Sequence, residues 1–266
     1  METTKFFQMH SFRSLIDEIK NFDRKVVWVI VISAISLAGI NYFAAASRFS
    51  NYASFFATVG LMDSFDWVYQ LLYRAEHSRL WGLLYWASLT VFFYFILPAF
   101  IIKVVFKERL RDYGLKRKEV LSYFSIYALL FACIFPVVLL VSFSKQFQTA
   151  YPFYSPKDTP DLFPYFVVWE IFYVLQFFAL EFFFRGFMVH GLKQKMGIYS
   201  VAAMVVPYCM IHFTKPLPEC IGSIFAGLIL GILSFRTGSV WLGALIHIAV
   251  ALSMDWLSLW QRGFLF

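Results

Sequence analysis

Glu181 and Arg185 stand four residues apart in the run Leu180-Glu181-Phe182-Phe183-Phe184-Arg185-Gly186, whose other members are phenylalanine, leucine and glycine. In water this spacing gives an ordinary bridge on a helix surface. Among phenylalanines the charges have no water to share, and an ionisable residue in an apolar span is a functional hypothesis in itself. His212 and His247 interrupt later apolar runs, and Glu170, Gln176 and Asp255 complete the polar residues in such runs. A carboxylate in a low-dielectric pocket holds its proton more tightly, which suits a general base near neutral pH. Imidazoles from separate helices can bind a divalent metal such as zinc, or donate hydrogen bonds to an oxyanion. Glu181 therefore reads as the base, Arg185 as the cation that orients it or pairs with Glu170, and His212 and His247 as metal ligands or oxyanion donors. The plainer alternative is an internal Glu181–Arg185 bridge that holds the structure, with each histidine as an interhelical hydrogen-bond donor.

The elements that must position these residues follow from composition. Of 266 residues, 61% are hydrophobic and only 15% charged, against about half and about a quarter in soluble domains. Lipid is the solvent that such a chain fits. The fold class is all-α, a polytopic transmembrane helical bundle of about seven spans, multi-pass in the cell (inner or cytoplasmic) membrane. The lipid bilayer is its first partner. The net charge is +7, but the basic residues fall mostly between apolar spans and no nucleic-acid motif accompanies them, so nucleic acid is excluded as a partner. Cys133, Cys209 and Cys220 lie in or beside apolar segments with no paired spacing. They give neither a disulfide framework nor a metal signature and read as small buried hydrophobes.

Residues 1–25 form a mixed cytoplasmic or interfacial segment whose Phe6, Phe7, Phe12, Leu15, Ile16 and Ile19 make a rough helical stripe for the membrane surface. An N-terminal transmembrane region, 26–163, holds three spans, at about 26–46, 80–102 and 120–143. They are separated by an amphipathic stretch (47–79) and a basic loop (103–118), and a proline-punctuated loop (144–163) closes the region. The motif-bearing region, 164–256, holds four spans, at about 164–195, 199–213, 219–235 and 239–256, and 257–266 is a short tail. Gly227 and Gly231 have the spacing of close helix packing. With the N-terminus inside and the C-terminus outside, sixteen of the 23 Lys and Arg residues fall on the inner side, as the positive-inside rule requires.

Depth brings the polar residues together. Glu181 lies about 21 Å from the inner helix end at Lys195, His212 about 20 Å from Tyr199, and His247 about 16 Å from Arg236, at 1.5 Å per residue. Three groups from three helices thus share one layer. His190 falls on another face and reads as interfacial, His10 and His77 as surface residues. Asp255 reads as a cap or interface residue, and Glu219 as a helix N-terminal carboxylate.

The order Glu181-x-x-x-Arg185, Tyr208-x-x-x-His212 and His247-x-x-x-Ala251 resembles the CPBP (ABI) family of intramembrane proteases, which includes type II CAAX prenyl endopeptidases and bacteriocin-processing or immunity proteins. His212-Phe213-Thr214-Lys215-Pro216-Leu217-Pro218-Glu219 and Leu110-Arg111-Asp112-Tyr113-Gly114-Leu115 also resemble segments of bacterial members. The resemblance implies an endopeptidase, with a divalent metal such as zinc as its cofactor where one is used. Glu181 and His212 would activate water against a membrane-proximal peptide bond, in a CAAX-like or leader peptide of a lipidated or unlipidated substrate, with His247 assisting. Two positions depart from the pattern. The family's first glutamate is Leu180 here, and the last residue of the third motif, commonly Asn, is Ala251. These departures carry the alternative of an inactive member that binds peptides or serves as an immunity or maturation partner.

Overall fold

The structure, a computed structural model, describes residues 22–116, 120–156 and 162–264. The surface stripe expected over residues 1–21, and His10 with it, lies outside the described residues. Among the described residues the chain is helical, with no strand, and six helices are long and apolar enough to cross a membrane. They are α1 (Arg24–Phe43), α3 (Ser78–Val105), α4 (Phe124–Ser142), α5 (Leu162–Met196), α7 (Leu217–Thr237) and α8 (Trp241–Gln261). Between α1 and α3, α2 (Met62–Tyr73) follows two shorter turns, and Phe49, Phe65 and Leu72 bury a small core of their own beneath this amphipathic stretch.

The remaining apolar segment, expected as a span over 199–213, is the 12-residue helix α6 (Tyr199–Met210). At 1.5 Å per residue it is about 18 Å long, short of the hydrocarbon thickness of about 30 Å. Pro207, which has no amide hydrogen, lies in its last turn, and the chain turns over Ile211–Thr214 before Pro216 caps α7. The turn carries His212, so the shortness of α6 is what lifts that imidazole off a helix and onto a loop.

Helix boundaries follow local chemistry. Asp23 caps α1 by accepting hydrogen bonds from the amides of Lys25 and Val26. Gly238, at φ +68, closes α7 and donates its amide to Ser234. Gly114, at φ +90, brings the basic loop against the α7–α8 turn, where Val240 donates its amide to the Gly114 carbonyl at 2.9 Å. That loop folds inward beside α5. Tyr113 is buried and its hydroxyl donates to Glu108, which also accepts from Lys25.

The bundle is built around α5, 35 residues long. Its first half packs on α3 and α8, its second half on α1, α6 and α7. Two cores result. Trp169 and Tyr173 join Leu84, Ala87 and Ala251 in one, and Leu180 and Phe182 to Phe184 join Val29, Tyr94, Met204 and Tyr208 in the other. The outer face is the inverse of a soluble protein. In α4 only 6% of the most apolar window is buried, and Leu129, Val137 and Leu140 are exposed. Such a face is stable only in hydrocarbon.

Close packing of α6 and α7 uses the glycine spacing seen in the sequence. A Cβ on Gly231 would stand 2.7 Å from Val201 Cγ1 and 2.9 Å from Met204 Cε, and one on Gly227 3.0 Å from Tyr208. Gly231→Val is therefore expected to destabilise the protein by about 1–3 kcal/mol through overpacking. Gly222→Ala, where nothing lies within 4 Å, is expected to be neutral or slightly stabilising through helix propensity. Thermal unfolding of the two variants in the same detergent checks the contrast.

Candidate active site

Glu181 and Arg185 occupy successive turns of α5, where the helix changes from α to a π-helical stretch over Phe182–Met188. Widened turns of this kind free backbone groups and recur at functional sites. Here Ser234 of α7 donates to the Arg185 carbonyl at 3.1 Å, and His190 shares a 3.1 Å hydrogen bond with the Ser234 hydroxyl. His190 is thus buried between α5 and α7, a position that corrects its reading as interfacial. The signal for this was Ser234 itself, a polar residue on the glycine-bearing face of α7.

The Glu181 carboxylate is fully buried and Arg185 is only 1% exposed. Arg185 Nη1 stands 3.1 Å from Glu181 Oε1, and His247 Nδ1, from α8, stands 2.7 Å from the same oxygen. The carboxylate can only accept, so the imidazole donates Nδ1–H and keeps its Nε2 lone pair for another partner. Gly243, one turn before His247, makes the approach possible, since a Cβ there would stand 3.3 Å from Glu181 Oε2. Phe177 flanks the imidazole with ring centroids 4.6 Å apart. His247 retains 17% exposure. The acid is sealed and the imidazole is the group that reaches outward.

Tyr208 links His212 to this group. The Arg185 guanidinium lies over its ring, with Cζ 3.8 Å from the centroid, a cation–π contact that strengthens as water is excluded. His212 follows one turn later, its ring edge-on to Tyr208 at 5.0 Å. His212 Nδ1 lies 2.8 Å from the Tyr208 carbonyl. A carbonyl only accepts, so this imidazole too is fixed as the Nδ1–H tautomer with Nε2 free. His212 is partly exposed and lies within electrostatic reach of His247, Glu219 and Lys215.

The four residues picked from the sequence, Glu181, Arg185, His212 and His247, thus converge from α5, the turn after α6, and α8. Glu170 does not join them. It lies beside Asp255, which is itself fully buried and accepts from Trp169 Nε1 at 3.1 Å. Asp255 is therefore neither a cap nor an interface residue. Its partnership with Glu170 was legible as displacement, because Glu170 lies about 16 Å along α5 from Glu181 and Asp255 about 12 Å along α8 from His247. Glu219, Lys215 and Tyr151 make a further polar cluster near Asp255, with Tyr151 donating to Glu219 at 3.2 Å and Lys215 donating to Tyr151 at 3.1 Å. Leu180 and Ala251 belong to the two apolar cores.

Residues 162–253, from the start of α5 to beyond His247, match the family model described as type II CAAX prenyl endopeptidase, Rce1-like. In this region the chain is similar to the CPBP/CAAX protease family. No curated protein and no solved structure matches the chain. The match covers every converging residue, Tyr208 included. The six long apolar helices make the protein a multi-pass membrane protein, and its C-terminal region is similar to CAAX proteases.

Two imidazoles do not make a catalytic zinc centre, which uses three protein ligands and an open position. Among the described residues no group of three or more His, Cys, Asp or Glu side chains could hold a metal ion. The donor set of the described residues does not fit zinc.

Proposed function

We propose that the protein is an intramembrane endopeptidase that hydrolyses a membrane-proximal peptide bond of a CAAX-like or leader peptide, with His247 as general base and Glu181 as the carboxylate that orients it. The observation that carries this reading is the 2.7 Å contact between His247 Nδ1 and Glu181 Oε1. It fixes the tautomer, leaves the Nε2 lone pair available and stabilises the imidazolium that forms when Nε2 takes a proton. Water held between the Nε2 atoms of His247 and His212 attacks the carbonyl carbon. Its proton passes to His247, and the resulting imidazolium returns that proton to the leaving amine as the carbon–nitrogen bond breaks. Arg185 balances the Glu181 charge and takes no part in proton transfer. With the N-terminus inside, α6 rises from the inner side and the His212 turn lies within the bilayer, in its outer half, and the cytoplasmic membrane of the cell is the proposed location.

A second reading rests on Leu180 and Ala251. Both are packed in apolar cores, so neither position offers a base or an oxyanion donor, and a chain that binds a membrane peptide without cleaving it has the same buried pair. The deciding experiment compares membrane and released peptide termini from cells expressing wild type, His247→Asn or His212→Ala at matched levels. Termini found only with wild type support hydrolysis and identify the substrate. Identical termini in all three, with the proteins folded, support peptide binding alone. Cleavage by the purified wild type is also expected to persist in excess chelator. Loss of activity in chelator, restored by zinc, would count against the metal-free route.

A further inference from the structure

Cys209 and Cys220 show no paired spacing in the sequence, yet the fold sets them side by side. Cys209 lies in the last turn of α6 and Cys220 in the first turn of α7. Their sulfurs are 3.8 Å apart, and Cys209 Sγ also lies 3.9 Å from the Cys220 carbonyl. A disulfide needs about 2.05 Å, so each sulfur has to move by only about 1 Å. Both side chains are partly exposed, whereas Cys133 is exposed on α4, away from this pair. We propose that Cys209 and Cys220 form a reversible intramolecular disulfide that fixes the turn bearing His212.

The backbone of the turn between them is held by short-range bonds, and its Lys215 side chain reaches Tyr151. The His212 amide donates to the Cys209 carbonyl at 2.9 Å, the Lys215 amide to the His212 carbonyl at 2.9 Å, and the Cys220 amide to the Pro216 carbonyl at 3.0 Å. A covalent link across its base removes the hinge motion of the turn while leaving those bonds in place. A small-molecule disulfide, such as oxidised glutathione, supplies the oxidising equivalents. One cysteine thiolate attacks it, expels one glutathione thiolate and forms a mixed disulfide. The second cysteine, as thiolate, then attacks the protein sulfur and expels the other. Two protein thiols are oxidised, one disulfide is reduced, and the two protons end on the two glutathione thiols. The partial exposure of both cysteines leaves them within reach of a small disulfide. The effect on His212 rests on the hydrolytic reading, but the cross-link itself does not.

The test uses the full chain, purified in detergent, reduced, exposed to oxidised glutathione and then alkylated with N-ethylmaleimide. The expected result is a single cross-linked peptide pair containing Cys209 and Cys220, lighter by two hydrogens, with Cys133 still alkylated. Hydrogen exchange across residues 211–216 is expected to slow several-fold and to recover on reduction. Cys209→Ser and Cys220→Ser are each expected to lose both the cross-link and the slowing. Alkylation of both cysteines after oxidation, persistent glutathione adducts on both, or a cross-link only between chains would overturn the proposal. So would protection of the pair by added zinc or cadmium with no cross-link under oxidised glutathione, which would make the two sulfurs a soft-metal site. A cross-link that forms in a protein cleaving nothing in either redox state would sink the hydrolytic reading and leave the disulfide standing.

Discussion

Arg185→Met is expected to cost about 3–5 kcal/mol of stability, because it strips the counter-ion from a carboxylate that has no access to water. Glu181 and Arg185 are 0% and 1% exposed, and the guanidinium has Tyr208 beneath it as its other support. Met fills much of the same volume, so lost packing is a small part of the effect. Glu181 would then be left to the His247 donor alone, or would take up a proton. The double replacement Glu181→Gln with Arg185→Met removes both charges together. Buried pairs exchanged for uncharged residues of similar volume are often neutral or stabilising, so the double variant is expected to regain most of the loss. The two single variants and the double form a cycle whose coupling should be large and favourable. Arg185→Lys keeps the charge but loses the flat group that lies on Tyr208, and is expected to fall between wild type and Arg185→Met. Thermal unfolding in detergent reads all four. A single variant as stable as wild type would mean that Glu181 is already uncharged in the folded protein.

The sequence makes depth legible and azimuth illegible. Rise per residue is nearly constant, so Glu181, His212 and His247 could be placed in one layer without any coordinates. Two of them do touch, and the third joins through Tyr208. Which face each residue points to is another matter. The π-helical stretch over Phe182–Met188 changes the rotation per residue downstream of Glu181, so His190, expected on another face, turns in to meet Ser234. Glu170 has the spacing to be read as a partner of Arg185, but Arg185 is committed to Glu181, and Glu170 meets Asp255 instead.

Other contacts were illegible because they join segments whose separation carries no periodic signal. Tyr113 reaches α5 from the basic loop, and a Cβ on Gly186 would stand 2.7 Å from its carbonyl. Cys209 and Cys220 meet because α6 stops early and the chain reverses over a few residues, an event set by Pro207 and Pro216 more than by hydropathy. Hydropathy alone extends that segment to Phe213 and would carry His212 on a helix. The composition was nonetheless a reliable guide to the solvent, since the exposed side chains of α4 leave no other medium for it.

His247→Asn separates the structural role of the imidazole from its chemistry. The Asn amide can offer an N–H toward Glu181 Oε1, where His247 Nδ1 now stands at 2.7 Å, but it has no basic nitrogen to present on the other side. It is expected to fold with near wild-type stability and to lose about 10²–10⁴-fold in cleavage, the size of a general-base contribution. His247→Ala removes both roles, and part of its activity is expected to return when imidazole is added to the assay, because the site left beside Phe177 and Glu181 is partly open. His212→Ala removes the second Nε2 without touching Glu181, so it is expected to lose cleavage with no change in the stability coupling of the ion pair. Cleavage rates on the peptide identified from cellular termini, measured beside thermal unfolding, distinguish these cases. Retained cleavage in His247→Asn would move the base to another group. His212 would then be the first candidate, because its own Nδ1 is tied to the Tyr208 carbonyl and its Nε2 is equally free to accept a proton.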